Sequence, residues 1–268
     1  MNNKIDRLVL ENVSFHYNGS QKYIVKDLSL DISSPSITSL LGLNGSGKTT
    51  LLMLLLGYYK PQKGAIYALG AQGKQSLESL NGLVGYLPQR ENIPFDYSVA
   101  EFISMGLNTQ MGIFTSPNRD DLQKIEASMQ FLDICDLSER HLSSISGGEL
   151  QRVRIARLLV QDPQIILLDE PSSHLDIKSK NQIIELIESF KRLGKMVIFS
   201  THDPLDALNV SDLSVMMKKG KEIIKGKSAD IVTRDSLSSY FDTHIEIDEI
   251  NGQRVILVKN GTKTGTSA

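Results

Sequence analysis

The spacing of apolar and polar positions divides the chain into stretches of different period. From residue 5 to residue 32 they alternate over short spans, through Leu8, Leu10, Val13 and Phe15 and then Ile24, Val25, Leu28, Leu30 and Ile32, with Asn18-Gly19 between. A period of two interrupted by Asn-Gly predicts an antiparallel β region. Ile37 to Leu41 reads as a short buried strand. Leu51-Leu52-Met53-Leu54-Leu55-Leu56 is apolar on every side and ends at Gly57, as a buried helix would.

From about Gln89 to Gln161 the pattern is helical and strand signals are weak, whereas Ile165 to Leu168 and Met196 to Phe199 are compact aliphatic strands. Between those strands Ile183, Leu186, Ile187 and Phe190 recur at i, i+3, i+4 and i+7, and Gly194 stops the helix they define. Strands separated by helices predict an α/β fold with a mainly parallel sheet, here with an antiparallel β part at the N-terminus and an inserted helical section. Met216-Met217-Lys218-Lys219-Gly220-Lys221-Glu222-Ile223-Ile224 predicts a hairpin, and residues 244–258 a second one around Asn251-Gly252. The expected division is a core with its β part over about 1–88 and 162–242, a helical subdomain over about 89–161, a C-terminal hairpin over about 243–258 and a loose tail at 259–268.

A chain of 268 residues can bury a sizeable core but has no room for two such domains. With 29 basic and 31 acidic residues the formal net charge is −2, so no bulk field favours nucleic acid or an acidic membrane surface. Cys135 is the only cysteine, which excludes an internal disulfide and a cysteine-only metal site and is consistent with a reducing compartment. It is expected as a buried helix residue. Met1 to Arg7 lack an apolar stretch behind a basic start, so no secretory signal is expected, and no aliphatic run approaches the roughly 20 residues that span a bilayer.

The sharpest chemical signal is Gly42-Leu43-Asn44-Gly45-Ser46-Gly47-Lys48-Thr49, which fits G-x-x-x-x-G-K-[ST] between the predicted strand and helix. Gly42, Gly45 and Gly47 let the backbone curl so that amide N–H groups, with Asn44 and Ser46 between them, point at phosphate oxygens. Lys48 reaches the outer phosphates, the Thr49 hydroxyl is placed to ligate Mg²⁺, and the helix that begins through Thr49 and Thr50 directs its positive end at the anion. Ile165-Ile166-Leu167-Leu168-Asp169-Glu170-Pro171 ends a core strand in two carboxylates, where ligands collect on a parallel sheet. Asp169 is placed to hold Mg²⁺, and Glu170, facing the other way, to orient or deprotonate a water aimed at the γ-phosphate.

Ser146-Gly147-Gly148-Glu149-Leu150-Gln151-Arg152 opens a helix with Leu150, Val153, Ala156 and Val160 on its apolar face. Ser146 and Glu149 form a capping box available to any helix, but the paired glycines also bare a helix N-terminus for close contact with an anion.

At this point the chain resembles, over nearly its whole length, the ATP-binding subunits of ABC transporters. The phosphate loop at Gly42 to Thr49, Gln89 in Tyr86-Leu87-Pro88-Gln89, Ser146-Gly147-Gly148, Asp169-Glu170, Ser173-His174-Leu175-Asp176 and His202 in Ser200-Thr201-His202-Asp203 follow the family's order. The resemblance implies that Tyr17 stacks on adenine, that Gln89 touches Mg²⁺ and the attacking water, that His202 contacts the γ-phosphate, and that Ser146, Gly147 and Gly148, with Asp176 in the D-loop, serve nucleotide in a closed pair. Read without the family, Tyr17 is equally a β-face packing residue, Gln89 a loop residue, and His202 part of a helix start before Asp203-Pro204. Glu149 stands where the family usually has Gln, Ile145 for Leu and His174 for the commoner Ala.

The resemblance further implies ATP and Mg²⁺ as ligands, a head-to-tail dimer with a second copy, separate transmembrane permease subunits, an extracytoplasmic substrate-binding protein, and a peripheral place on the cytoplasmic membrane face. Pro94-Phe95-Asp96-Tyr97-Ser98-Val99, Met105-Gly106, Gly112-Ile113-Phe114-Thr115-Ser116-Pro117, Asp121 and Glu170-Pro171-Ser172-Ser173-His174-Leu175-Asp176 are similar to ATPases of importers for ferric siderophore, haem or cobalamin. The alternative is the ATPase of an importer for a free divalent metal, which looks similar around Gln89, or for an oxyanion, and a soluble ABC ATPase acting on nucleic acid or ribosomes is the more distant one.

Overall fold

The computed structural model describes residues 4–80, 82–109, 118–219, 222–250 and 253–259. Its N-terminal part is a four-stranded antiparallel sheet in the order β2-β1-β4-β5, built from β1 (Ile5–Phe15), β2 (Val25–Ser33), β4 (Lys63–Gly70) and β5 (Gly73–Ser76). The main sheet has six strands in the order β10-β9-β3-β8-β7-β6. These are β3 (Ser36–Leu41), β6 (Val84–Leu87), β7 (Ile165–Leu168), β8 (Met196–Thr201), β9 (Leu213–Met216) and β10 (Ile224–Lys227), of which only β10 runs antiparallel to its neighbour. A separate hairpin pairs β11 (His244–Ile250) with β12 (Gln253–Lys259).

Strand alternation explains why β3, β7 and β8 are buried along their whole length. In β7, Ile165 and Leu167 join the core beneath the antiparallel sheet and α1 (Lys48–Leu55), while Ile166 and Leu168 join the core beneath the helical section. Met196 and Ile198 of β8 face the first core, and Val197 and Phe199 the second. One sheet thereby separates two apolar layers.

The inserted section contributes α2 (Val99–Ser104), α3 (Arg119–Phe131) and α4 (Gly147–Leu159). Each opens with a complete capping box, Ser98 with Glu101, Asn118 with Asp121, and Ser146 with Glu149. After β7 come α5 (Ile177–Arg192), α6 (Pro204–Val210), α7 (Ser228–Ile231) and α8 (Arg234–Phe241). Ile183, Ile187 and Phe190 bury the predicted stripe of α5, and Gly194 past its end has the left-handed φ of 80°. No helix among the described residues is long and apolar enough to cross a membrane.

Two readings need adjustment. Cys135 is exposed, not buried: it opens a single 3-10 turn in which Ile134 and Leu137 take the inward positions. Ile24 lies just outside β2, although its amide still bonds the Phe15 carbonyl at 2.8 Å, so the loop between β1 and β2 holds both Tyr17 and Ile24 beside the phosphate loop. Gly112 to Pro117, Gly220-Lys221, the Asn251-Gly252 turn and the tail from 260 onward lie outside the described residues.

Candidate functional site

The order β3-β8-β7-β6 collects motifs far apart in sequence at one edge of the sheet. Gly42 follows β3, His202 follows β8, Asp169 and Glu170 follow β7, and Gln89 lies just beyond β6. Parallel pairing, with Leu41 opposite Thr201 and Leu168 opposite both Phe199 and Leu87, puts these strand ends level.

The phosphate loop takes the strained turns its glycines permit. Gly47 has φ 105°, and a Cβ there would stand 2.5 Å from Ile24 Cγ2. At Gly42 a Cβ would lie 2.6 Å from the Met217 carbonyl oxygen, so no side chain fits. Lys48, 5% exposed, folds its ammonium back onto the Gly42 and Leu43 carbonyls at 2.8 and 3.3 Å. It also pairs with Glu170 Oε1 at 3.1 Å.

Asp169 is 3% exposed and receives hydrogen bonds from the Thr49 hydroxyl at 2.8 Å and the Ser200 hydroxyl at 2.6 Å. Burial, with Asp169 close by, pushes the Tyr86 phenol well above its ordinary range. Glu170 does not turn away as alternation predicts: its φ of 46° swings the side chain back to the loop, where Oε1 meets Lys48 and Oε2 accepts from Gln89 Nε2 at 3.0 Å. His202 Nδ1 stands 3.6 Å from the same Oε2 and remains more than half exposed.

A cavity of about 340 Å³ runs along this loop, bounded by Tyr17, Asn44, Gly45, Thr49, Gln89 and Glu170 among others. Tyr17 is 41% exposed, so it is not a core packing residue. Phe15 and Tyr59 meet its ring edge-on at 5.3 and 5.6 Å, and its hydroxyl lies 2.8 Å from Thr50 Oγ1. A larger cavity of about 520 Å³, with Lys22, Lys26, Lys218 and Lys225 on its walls, shares only Ile24 with this one among the described residues.

The buried Ser46 hydroxyl has no hydrogen-bond partner among the described residues. That orphan, the bared amide cradle and the buried ammonium fit a polyphosphate, and the Thr49 hydroxyl beside the Asp169 carboxylate forms the oxygen donor set of a hard divalent cation.

The signature turn stands apart. Ser146 and Gly147 are exposed and border neither cavity. The two glycines have different local reasons: a Cβ at Gly147 would meet nothing, whereas at Gly148 it would lie 2.5 Å from Ser179 Oγ. That Ser179 is held by Asp176, which accepts from its amide at 3.0 Å and its hydroxyl at 2.8 Å while capping α5. Asp176 therefore sits under the signature turn, not in the phosphate cavity.

Residues missed from the sequence are Ser200, whose hydroxyl also accepts from the Glu170 amide at 2.8 Å, and the buried pair Gln151 and Arg154. The latter two lie i, i+3 beside the apolar stripe of α4, a spacing that marks an inward face even for polar residues.

The family profile described as "ABC transporter" matches residues 25–173. The "Probable iron chelatin transport ATP-binding protein" of Helicobacter pylori is 35% identical over 244 residues, covering 89% of this chain and 94% of that one. The "Iron(3+)-hydroxamate import ATP-binding protein FhuC" of Bacillus subtilis is 32% identical over 84% of this chain and 85% of its own. The "Molybdate import ATP-binding protein MolC" of Haemophilus influenzae is 30% identical over 92% and 91%. Among solved structures, "An inward-facing conformation of a putative metal-chelate type ABC transporter" superposes with a TM-score of 0.85 at 27% identity, over 96% of this chain and 99% of that one. Loop, carboxylate pair and sheet order, joined to these likenesses, place the chain in the ABC transporter family as an ATP-binding subunit that hydrolyses ATP.

Proposed function

We propose that the chain drives a membrane importer for a metal chelate, of the ferric siderophore, haem or cobalamin kind, as a head-to-tail pair of copies docked on separate permease subunits at the cytoplasmic face. The observation that carries the paired arrangement is the separation within one chain of a phosphate loop whose Lys48 and Thr49 are paired to Glu170 and Asp169 from an exposed Ser146-Gly147 turn. Each copy holds one half of a site and offers the other half to its twin.

Lys48 and the amides of Gly45 to Thr49 hold the triphosphate, with Tyr17 against the base. Thr49 and Asp169, with Gln89, would hold Mg²⁺, which neutralises charge on the phosphate oxygens. Binding must part the Lys48–Glu170 ion pair, because both the phosphate and the carboxylate seek the same ammonium. Glu170, once released, orients and deprotonates the water, Gln89 and His202 aim it, and the twin's signature amides stabilise the phosphoryl charge. An extracytoplasmic binding protein delivers the cargo.

Coupling to the permease runs through the segment after Gln89. There Phe95 is 68% exposed and stands edge-on to Tyr97 at 5.8 Å, an apolar pair open to a partner. Kinship to the iron-chelate and hydroxamate relatives supports chelate cargo. The molybdate relative and the "Zinc uptake system ATP-binding protein ZurA" of Listeria, 32% identical over 75% of this chain, support the second reading, an oxyanion or free-metal importer.

Reconstitution with a candidate permease tests both. Stimulation of ATP hydrolysis by a chelate-loaded binding protein, and not by molybdate- or zinc-loaded ones, is the expected result. The reverse pattern transfers the assignment.

A further inference from the structure

Between the phosphate cavity and the signature turn lies a buried polar cluster that the hydrolytic machinery leaves unused. Arg154, near the middle of α4, is 8% exposed. Its guanidinium donates to the Pro88 carbonyl at 2.6 Å, to Gln151 Oε1 at 2.9 Å and to Glu91 Oε2 at 3.3 Å. Arg157 holds the other oxygen of Glu91 at 2.6 Å, and Gln151 Nε2 donates to the Pro171 carbonyl at 2.7 Å.

These contacts have a direction. Pro88 and Glu91 bracket Gln89, and Pro171 follows Glu170, so one side chain of α4 fastens the loop of the water-orienting residue and, through Gln151, the residue beside the general base. An apolar side chain would fill the same space without the cost of desolvating a guanidinium. The planar fork supplies something else, fixed angles to three partners at once. Since α4 is one continuous helix whose first turn is the signature, displacement of the Gln89 loop moves Ser146 to Gly148 with it.

We propose that Arg154 is the positioning residue that couples the two ATP sites: when Gln89 engages nucleotide in one copy, Arg154 sets the orientation of the signature turn offered to the nucleotide of the other. The inference rests on the paired arrangement above, and the test separates the two.

In full-length chain carrying Glu170→Gln, two quantities are measured: affinity for trinitrophenyl-ATP at a dilution where the chain is single, and the ATP concentration at which half of it sediments as a pair. Adding Arg154→Met leaves the affinity within about twofold and raises the pairing midpoint roughly tenfold, the size of a moderate coupling between sites. Arg154→Lys restores little of it, because an ammonium cannot fork. If the Glu170→Gln chain stays single at saturating ATP, the paired arrangement falls and the coupling with it. If it pairs, and Arg154→Met pairs at the same ATP concentration or loses affinity and pairing in parallel, the coupling role alone is overturned. Should thermal melting show Arg154→Met unfolded, Glu91→Gln decides: a raised midpoint at unchanged affinity supports the role, and an unchanged midpoint overturns it.

Discussion

The phosphate loop and the signature turn are both glycine-rich approaches to a helix, yet the chain treats them in opposite ways. Around the loop every charged group has a partner from the same chain, with Lys48 on Glu170 and Thr49 on Asp169. At the signature turn the side-chain bonds among the described residues are those of the capping box, where Glu149 accepts from the Ser146 amide at 2.7 Å and Ser146 Oγ from the Glu149 amide at 3.3 Å. The contrast teaches that a site can be divided between molecules: the half that binds is prepaid with internal contacts, and the half that completes it is left open.

Removing the bonded half should have the largest effect. Lys48→Ala or Glu170→Gln lowers phosphate release from ATP by about a thousandfold or more, because each removes a charge aimed at the transferring group. Of the two, only Glu170→Gln is expected to retain ATP affinity in equilibrium dialysis.

The signature glycines sharpen the comparison by splitting activity from stability. Gly147→Ala, with open space around its Cβ, should leave the melting temperature unchanged while lowering turnover roughly a hundredfold, the scale of a lost oxyanion contact. Gly148→Ala should lower melting temperature as well, since Ser179 must leave its bond to Asp176. Equal thermal effects in the two variants would break the distinction.

A smaller effect is expected at the base. Tyr17→Ala raises KM for ATP several-fold at near-constant kcat, consistent with about 1 kcal/mol, the low end of base stacking. Tyr17→Phe, which loses only the bond to Thr50, stays close to the native value.

The smallest effect concerns acid. Backbone N–H donors hold Glu149 at Ser146, Glu101 at Ser98 and Asp176 at Ser179 below the ordinary carboxylate values of 4.5, 4.5 and 3.8, and the Ser143 hydroxyl and amide do the same for Asp96. A folded-state pKa depressed in this way gives stability that is full above the unfolded value and is lost as pH falls through the folded one. Asp206, in the core, has its pKa raised by burial and by Asp203, so its contribution runs the opposite way and weakens as pH rises through its titration. Hydrogen exchange, normalised to the unfolded chain, should therefore rise in α2 and α4 before β3, β7 and β8 as pH drops below about 4.5. Uniform loss across both regions would contradict it.

What could be read from the sequence was whatever is local. The loop glycines, the two-period strands and the capping box at Ser146 each lie within a few residues, and period or motif exposes them. Three features depended on distant partners instead. The direction of Glu170 is set by a left-handed turn and by Lys48 across the sheet edge, the packing reason for Gly148 lies in Ser179, and the burial of Arg154 is offset by the distant Pro88 and Glu91 as well as by its neighbour Gln151. Cys135 failed as a buried residue because a single 3-10 turn has too few residues for a helical period to fix its face.

Sedimentation of the Glu170→Gln chain bears most directly on the division of the site between two copies. The account predicts a pair with ATP, single chains with ADP, and single chains with ATP once Gly147→Arg is added. Single chains at saturating ATP, or a pair that survives an arginine at the signature turn, would contradict it.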